Sequence, residues 1–190
     1  VSGMEWAEID LNKRQWAIPR QRAKNDRAHV VHLSAPAFEI IETLPQIEVP
    51  RDEDNKPLTA ARFVFTTTGL KPVSGFSHAK AAVDRHMLEL LRKKMVGQGR
   101  DREEASIEDW ILHDLRRTAA TGMAGLNVPP HVVDKILNHV SGTIRGVAAV
   151  YNRHAYLDER KAALEAWGRY VEGLVRPTPH NIVRMNTARG

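Results

Sequence analysis

The chain has 190 residues, 42% of them apolar and 27% charged, which suits one folded domain with a core and at most a tail. It has no cysteine, which excludes disulfides, thiolate catalysis and cysteine-ligated metal centres. Lys and Arg outnumber Asp and Glu by 28 to 23, a net charge of +5 that suits a polyanionic partner without requiring one.

No apolar run approaches the about 18 residues of a membrane span. The opening VSGMEWAEID lacks the basic-then-apolar layout of a signal peptide. It starts in mid-pattern and without Met, which reads as a domain cut from a longer chain. Strand signals dominate the entry. Met4 to Ile9 alternates apolar and polar residues, Asp10 to Lys13 is a turn, and Gln15 to Pro19 resumes the extended pattern. His29-Val30-Val31-His32-Leu33 returns as a third strand, so a three-stranded antiparallel meander is predicted. The tip before that third strand carries Arg20, Arg22, Lys24 and Arg27, with Asn25-Asp26 as turn residues. A solvated hairpin end and a basic finger reaching a phosphate both fit this tip.

Ser34 and Pro36 mark a helix start, and residues 37–44 carry its apolar stripe. Residues 45–61 hold three prolines and a charged cluster and read as a mobile loop. Arg62 to Thr67 is a predicted short strand. A long helix is expected over 77–96, with Ala81, Val83, Met87, Leu88, Leu91 and Met95 on its buried side. The polar segment 97–108 follows and reads as mobile. Its Gly97-Gln98-Gly99 lacks the third glycine and the preceding strand of a dinucleotide fingerprint.

The next helix is predicted over 108–124, with Ile111, Leu115, Thr118, Ala119 and Gly122 facing inward. His113 and Arg116 are i,i+3 neighbours on its other side. Pro129-Pro130 start another helix, with Val132, Val133, Ile136 and Leu137 as its buried stripe and His139 at its C-terminal end. Ser141-Gly142 breaks the chain, and a small apolar run leads to Tyr151. A final helix runs over about 156–175, with Leu157, Ala163, Leu164, Trp167 and Val171 as its packing side.

Singly, these polar residues have ordinary explanations. An exposed His-x-x-Arg is a common solvated helix face, and a tyrosine in a packing region is usually core or rim. Together, basic groups and a tyrosine hydroxyl suggest phosphate chemistry. The ordered set His113-Asp114-Leu115-Arg116-Arg117-Thr118, Leu137-Asn138-His139 and Tyr151-Asn152-Arg153 is joined by the opening Gly3-Met4-Glu5-Trp6 and the hairpin Lys24. This set resembles the C-terminal catalytic domain of tyrosine recombinases, in particular phage-type integrases, over roughly residues 1–170.

The resemblance implies an α+β, mostly helical fold, with a small antiparallel β-meander packed against a helical body. It makes 1–175 the catalytic domain, truncated at its N-terminal edge, and 176–190 a tail that is flexible or docks on a neighbour. It implies Tyr151 as nucleophile, Arg116 as the second catalytic arginine and His113 as the histidine of the same motif. His139 matches a position that is His or Trp in the family, and Lys24 the lysine of the hairpin. Arg20, Arg22, Arg27 and Arg117 become candidate DNA-binding residues. The family cleaves DNA through a 3′-phosphotyrosine link, releases a 5′-hydroxyl and rejoins the strand to a partner duplex, with no metal and no cofactor. Implied partners are double-stranded attachment sites, a homotetramer on DNA and accessory DNA-bending or directionality proteins. The implied setting is the cytoplasm of a bacterium, near the nucleoid, with no membrane.

Physical chemistry supports these roles. Charge gathers on the non-bridging oxygens of an attacked phosphodiester, where arginine forks and imidazolium donors fit. A free tyrosine has a pKa near 10 and gains from nearby cations and from a base, for which His113 is the candidate. Lys24 can protonate the leaving 5′-oxygen. One departure stands out. The family's first catalytic arginine precedes the Gly-Met-x-Trp segment and is expected a few residues upstream of Val1. Weak DNA binding and slow or no cleavage are therefore expected of residues 1–190 alone, and a comparison with an upstream-extended version tests this. Alternatives are a type IB topoisomerase relaxing DNA as a monomer, and a non-catalytic DNA-binding module of the same fold. A metal hydrolase is weaker, since His29 and His32 would point to opposite faces of one strand.

Overall fold

Apolar alternation in the first 33 residues builds β1 (Ile9–Asp10), β2 (Gln15–Ile18) and β3 (His29–His32), an antiparallel meander in that order. Ile9 pairs with Trp16, and Trp16 in turn with Val31. The computed structural model describes residues 1–45, 47, 54, 62–139 and 155–176. Most of the predicted loop at 45–61, Tyr151 with the segment 140–154, and residues 177–190 lie outside the described residues.

The first strand is shorter than predicted. Trp6–Glu8 winds into a 3-10 turn, because the Glu8 carboxylate accepts from the Glu5 N–H at 3.2 Å and from Trp16 Nε1 at 2.9 Å. A carboxylate that satisfies a backbone N–H three residues earlier favours a turn over extension. Arg62 to Thr67 also fails to form its predicted strand. Only an isolated bridge links Glu5 and Phe63 there. The Thr66 hydroxyl donates to the Lys71 carbonyl at 2.6 Å and accepts from the Gly69 N–H at 2.9 Å, which bends the chain away.

Among the described residues the helices are α1 (Ala35–Glu42), α2 (Phe76–Gly97), α3 (Leu112–Gly125), α4 (Pro130–Ile136) and α5 (Leu157–Val175). The fold is α+β and mostly helical. Helix α5 is its spine and packs on α1, α3, α4 and β3. One core cluster, Met4, Trp16, Leu33, Ile41 and Val64, sits under the meander. A second, Met123, Val132, Val133 and Ala163, joins α3, α4 and α5. Full burial of a side chain such as Met123 or Val132 contributes about 1.5–3 kcal/mol.

Polar contacts register the two halves. Glu165 on α5 accepts from His32 Nε2 at 2.7 Å and from the Ala35 N–H at 3.2 Å, so it ties β3 and the first turn of α1 to the spine. Burial alone would raise the Glu165 carboxyl, but the His32 and Ala35 bonds outweigh it and hold the pKa below its usual value. Gly168 lets α5 approach α1, since a Cβ there would stand 2.8 Å from Ser34 Cβ. Gly122 lies beneath the ring of Trp167, which occupies the space a Cβ would take.

That contact explains a correction. Of the residues predicted to face inward on α3, Ile111, Leu115 and Thr118 are exposed. The packed side is instead Arg116, Ala119, Ala120, Gly122 and Met123. Small residues let α5 come close, and this outweighs the larger apolar side chains as a determinant of the face. Helix α2 differs likewise. Met95 is buried and Leu88 and Leu91 are half-buried, but Ala81, Val83 and Met87 are exposed, since α2 packs mainly on the turn at Arg102–Glu104. On α5, Ala163 is buried, whereas Leu157 and Val171 are exposed at the two ends, away from the close approach at its centre. No helix among the described residues is long and apolar enough to cross a membrane.

Candidate functional site

The site is built around the C-terminal end of α4. Pro130 starts this helix, and Val132 and Val133 anchor it in the core. It ends in a hydrogen-bonded reversal. The His139 N–H donates to the Asp134 carbonyl at 3.0 Å and the Asn138 N–H to the Lys135 carbonyl at 3.2 Å. Asn138 takes a left-handed backbone with φ of 54°, a conformation that asparagine tolerates better than most residues.

A helix end leaves its last carbonyls without partners inside the helix. Here three successive carbonyls are met by three different elements. The Ile136 carbonyl accepts from His29 Nε2 of β3 at 3.2 Å. The Leu137 carbonyl accepts from Arg116 Nη2 of α3. The Asn138 carbonyl accepts from Asn25 Nδ2 of the β2–β3 hairpin at 3.4 Å. The end of α4 is thus a hub on which sheet, hairpin and α3 converge.

Around the hub lies a cleft of about 900 Å³. Lys24 from the hairpin, His113 and Arg116 from α3, and His139 beyond α4 all line it. Four of the five predicted catalytic side chains therefore share one cavity, although they come from three segments of the chain. The fifth, Tyr151, is outside the described residues. None of the described residues lining the cleft is a carboxylate. Lys24, His113 and His139 are exposed, and Arg116 is half-buried with one nitrogen committed to Leu137. His139 is oriented by its Nδ1–H, which donates to Asp134 Oδ1 at 3.1 Å. That bond leaves Nε2 available to a ligand.

The candidate DNA-binding arginines divide. Arg22 lines the cleft and is ion-paired with Glu8, with Glu5 at 3.5 Å. Arg20 is exposed and holds Asp26 through two 2.7 Å bonds. Arg117 pairs with Asp114 at 3.1 Å, while Asp114 also accepts from the Ile111 N–H at 2.9 Å at the start of α3. Arg27 is exposed near the tip.

Three further residues, Asn25, His29 and Asn138, line the cleft, and Arg160 lies behind the strand that carries His29. Asn25 and Asn138 read locally as a turn residue and a helix-terminus residue. His29 lies on the same strand face as Val31, and period-two alternation could have placed it with the pocket wall. Its imidazole is buried. Desolvation, with the charges of Arg160 and Arg116, lowers its pKa below the usual histidine value despite the bond to Ile136. His29 is held neutral. His32 points elsewhere, to Glu165. Arg160 is buried on α5 and donates to the carbonyls of Val30 and, at 3.4 Å, Ala155. Among the described residues its Nε has no hydrogen-bond partner. No simple sequence signal separates it from a solvated arginine in the first turn of an amphipathic helix.

Chemically, a lysine, two arginines and three histidines around a cleft with no carboxylate among its described lining residues suit an anion whose charge grows during reaction. The family model described as Phage integrase family matches residues 1–157. The chain is 29% identical over 169 residues to prophage integrase IntA of Escherichia coli (strain K12), covering 88% of this chain and 33% of that protein. It is 25% identical over 177 residues to the integrase of Shigella phage Sf6, covering 93% and 38%. It is 24% identical over 173 residues to prophage integrase IntS of Escherichia coli (strain K12), covering 90% and 37%. The chain therefore spans about a third of the length of these relatives. No solved structure matches it significantly.

Proposed function

The chain belongs to the phage integrase family, and from that premise we propose that it supplies the catalytic domain of a site-specific DNA recombinase. The supporting observation is the shared cleft of Lys24, His113, Arg116 and His139. In this reading the scissile phosphate of an attachment-site duplex sits in the cleft. Tyr151 Oη attacks phosphorus, and the phosphorus–O5′ bond breaks. The tyrosine proton passes to His113, and the leaving O5′ takes a proton from Lys24 Nζ. Arg116 and His139 donate to the non-bridging oxygens as their charge grows. The bond to Leu137 fixes the guanidinium plane, so little reorganisation is needed at the moment of reaction. The 3′-phosphotyrosine keeps the energy of the broken bond, so a second 5′-hydroxyl can reverse the steps with a new partner strand.

Double-stranded attachment sites, assembly as a homotetramer on DNA, and accessory bending or directionality proteins complete the proposal, in a cytoplasmic, nucleoid-associated setting. The tail at 176–190 is proposed to dock on a neighbouring subunit. The test is a nicked DNA substrate whose short fragment bearing the freed 5′-hydroxyl diffuses away after cleavage, which traps the covalent intermediate. The full-length protein should form an adduct stable to denaturation, and Tyr151→Phe should form none. An adduct of equal yield with Tyr151→Phe would reject the assignment.

A further inference from the structure

We propose that Asn25 and Asn138 are positioning residues that hold the hairpin on the end of α4 and so set Lys24 against the phosphate. Asn25 Nδ2 donates to Asn138 Oδ1 at 2.8 Å, and Asn138 Nδ2 donates back to Asn25 Oδ1 at 3.3 Å. Asn25 Nδ2 also approaches the Asn138 carbonyl at 3.4 Å. The two residues are 113 apart in sequence, both are half-buried, and both line the cleft. Each stands next to a site residue in the chain, Asn25 after Lys24 and Asn138 before His139. The pair therefore ties the backbone that carries Lys24 to the end of α4, beside His139.

Neither asparagine is explained by local structure alone. A left-handed residue past a helix end is most easily glycine, which has no Cβ to strain. Asparagine at 138 adds an amide, and that amide is used on the hairpin. At the hairpin the left-handed position is Asp26, with φ of 53°, so Asn25 is not needed for the turn geometry. Its side chain reaches across to α4 and also accepts from the Arg27 N–H at 3.3 Å, which stiffens the tip. Lys24 is a long, exposed side chain, and where its ammonium can reach is governed by where its backbone is held. A reciprocal amide pair offers two directional bonds in a partly desolvated place, so it fixes both distance and register.

The inference rests on the proposed role of Lys24 as proton donor to O5′, and the test separates the two claims. Single-turnover cleavage by the full-length protein is measured on an ordinary duplex and on one with sulfur in place of the bridging O5′. A thiolate leaves without being protonated, so the sulfur substrate removes the need for Lys24. Asn138→Gly keeps the left-handed turn and deletes the amide, and Asn25→Ala deletes the other half. Each should slow cleavage of the oxygen substrate by about tenfold to a hundredfold, the scale of a misplaced catalytic group. Each should recover to near the wild-type rate on sulfur, as should Lys24→Ala. The double variant should be no slower than the slower single variant, because the two amides act as one unit.

Wild-type rates for both asparagine variants on the oxygen substrate would overturn the proposal and leave Lys24 as acid untouched. A defect that sulfur restores for Lys24→Ala but not for the asparagine variants would also overturn it. If sulfur fails to restore Lys24→Ala, the acid assignment falls and the positioning role falls with it.

Discussion

The cleft wall and the outer face of α2 and α3 are opposite solutions to assembly. Around the cleft, polar groups from distant segments satisfy one another, with His29, Arg116 and Asn25 each meeting a carbonyl at the end of α4. On the outer face, Val83, Met87, Leu90, Ile111, Leu112 and Leu115 are exposed. Helix α2 is tied to the chain before α3 by Asp84, which takes Lys80 at 2.8 Å and Trp110 Nε1 at 2.8 Å. The lesson is that amphipathic pattern locates a helix, while the rotation of its packed face is set by which small residues allow a close approach.

That contrast can be broken at several points. The largest effect is expected at Arg116. Arg116→Ala should lower the cleavage rate by about a hundredfold to a thousandfold, as for loss of a donor to developing charge. Single-turnover rates check this, and Arg116→Lys should recover only part, because an ammonium cannot bond Leu137 and a phosphate with one planar fork.

Next comes Gly122. Gly122→Ala places a methyl within the ring of Trp167 and should cost about 1–3 kcal/mol, read as a lowered denaturant midpoint. Leu115→Ala on the same helix should change stability by less than about 0.5 kcal/mol, since the side chain is exposed. The reverse order would mean that the packed face of α3 has been misassigned.

A smaller effect concerns pH. His29 is held neutral, so the unfolded chain gains a proton near pH 6.5 that the folded chain takes up only at lower pH. Stability should therefore be complete above about pH 6.5 and fall as the pH drops toward the lowered folded value, then level off below it. Melting temperatures at neutral and mildly acidic pH measure this. His29→Gln should flatten that part of the slope, and an unchanged slope would assign it to other groups.

Much of the fold was legible in the sequence because the signals were local. The meander followed from alternation around Trp16 and Val31, α4 from Pro129-Pro130 and its Val132, Val133 stripe, and the α1 start from Ser34 and Pro36. Four of the five candidate catalytic residues named from their order along the chain line one cleft. What was not legible depended on partners far away. The inward turn of Arg116 needs the Leu137 carbonyl, and the burial of Arg160 needs Val30. Trp6–Glu8 turned rather than extended because Glu8 found both Glu5 and Trp16, a choice that alternation alone cannot express.

The central claim is that one cleft serves one phosphate attacked by Tyr151. Its most direct test is peptide mapping of the trapped protein–DNA adduct together with the chemistry of the released DNA end. The account predicts a 3′-phosphate linked to Tyr151 and a free 5′-hydroxyl on the released fragment. Attachment through another residue, or a link to the 5′ end, would contradict it.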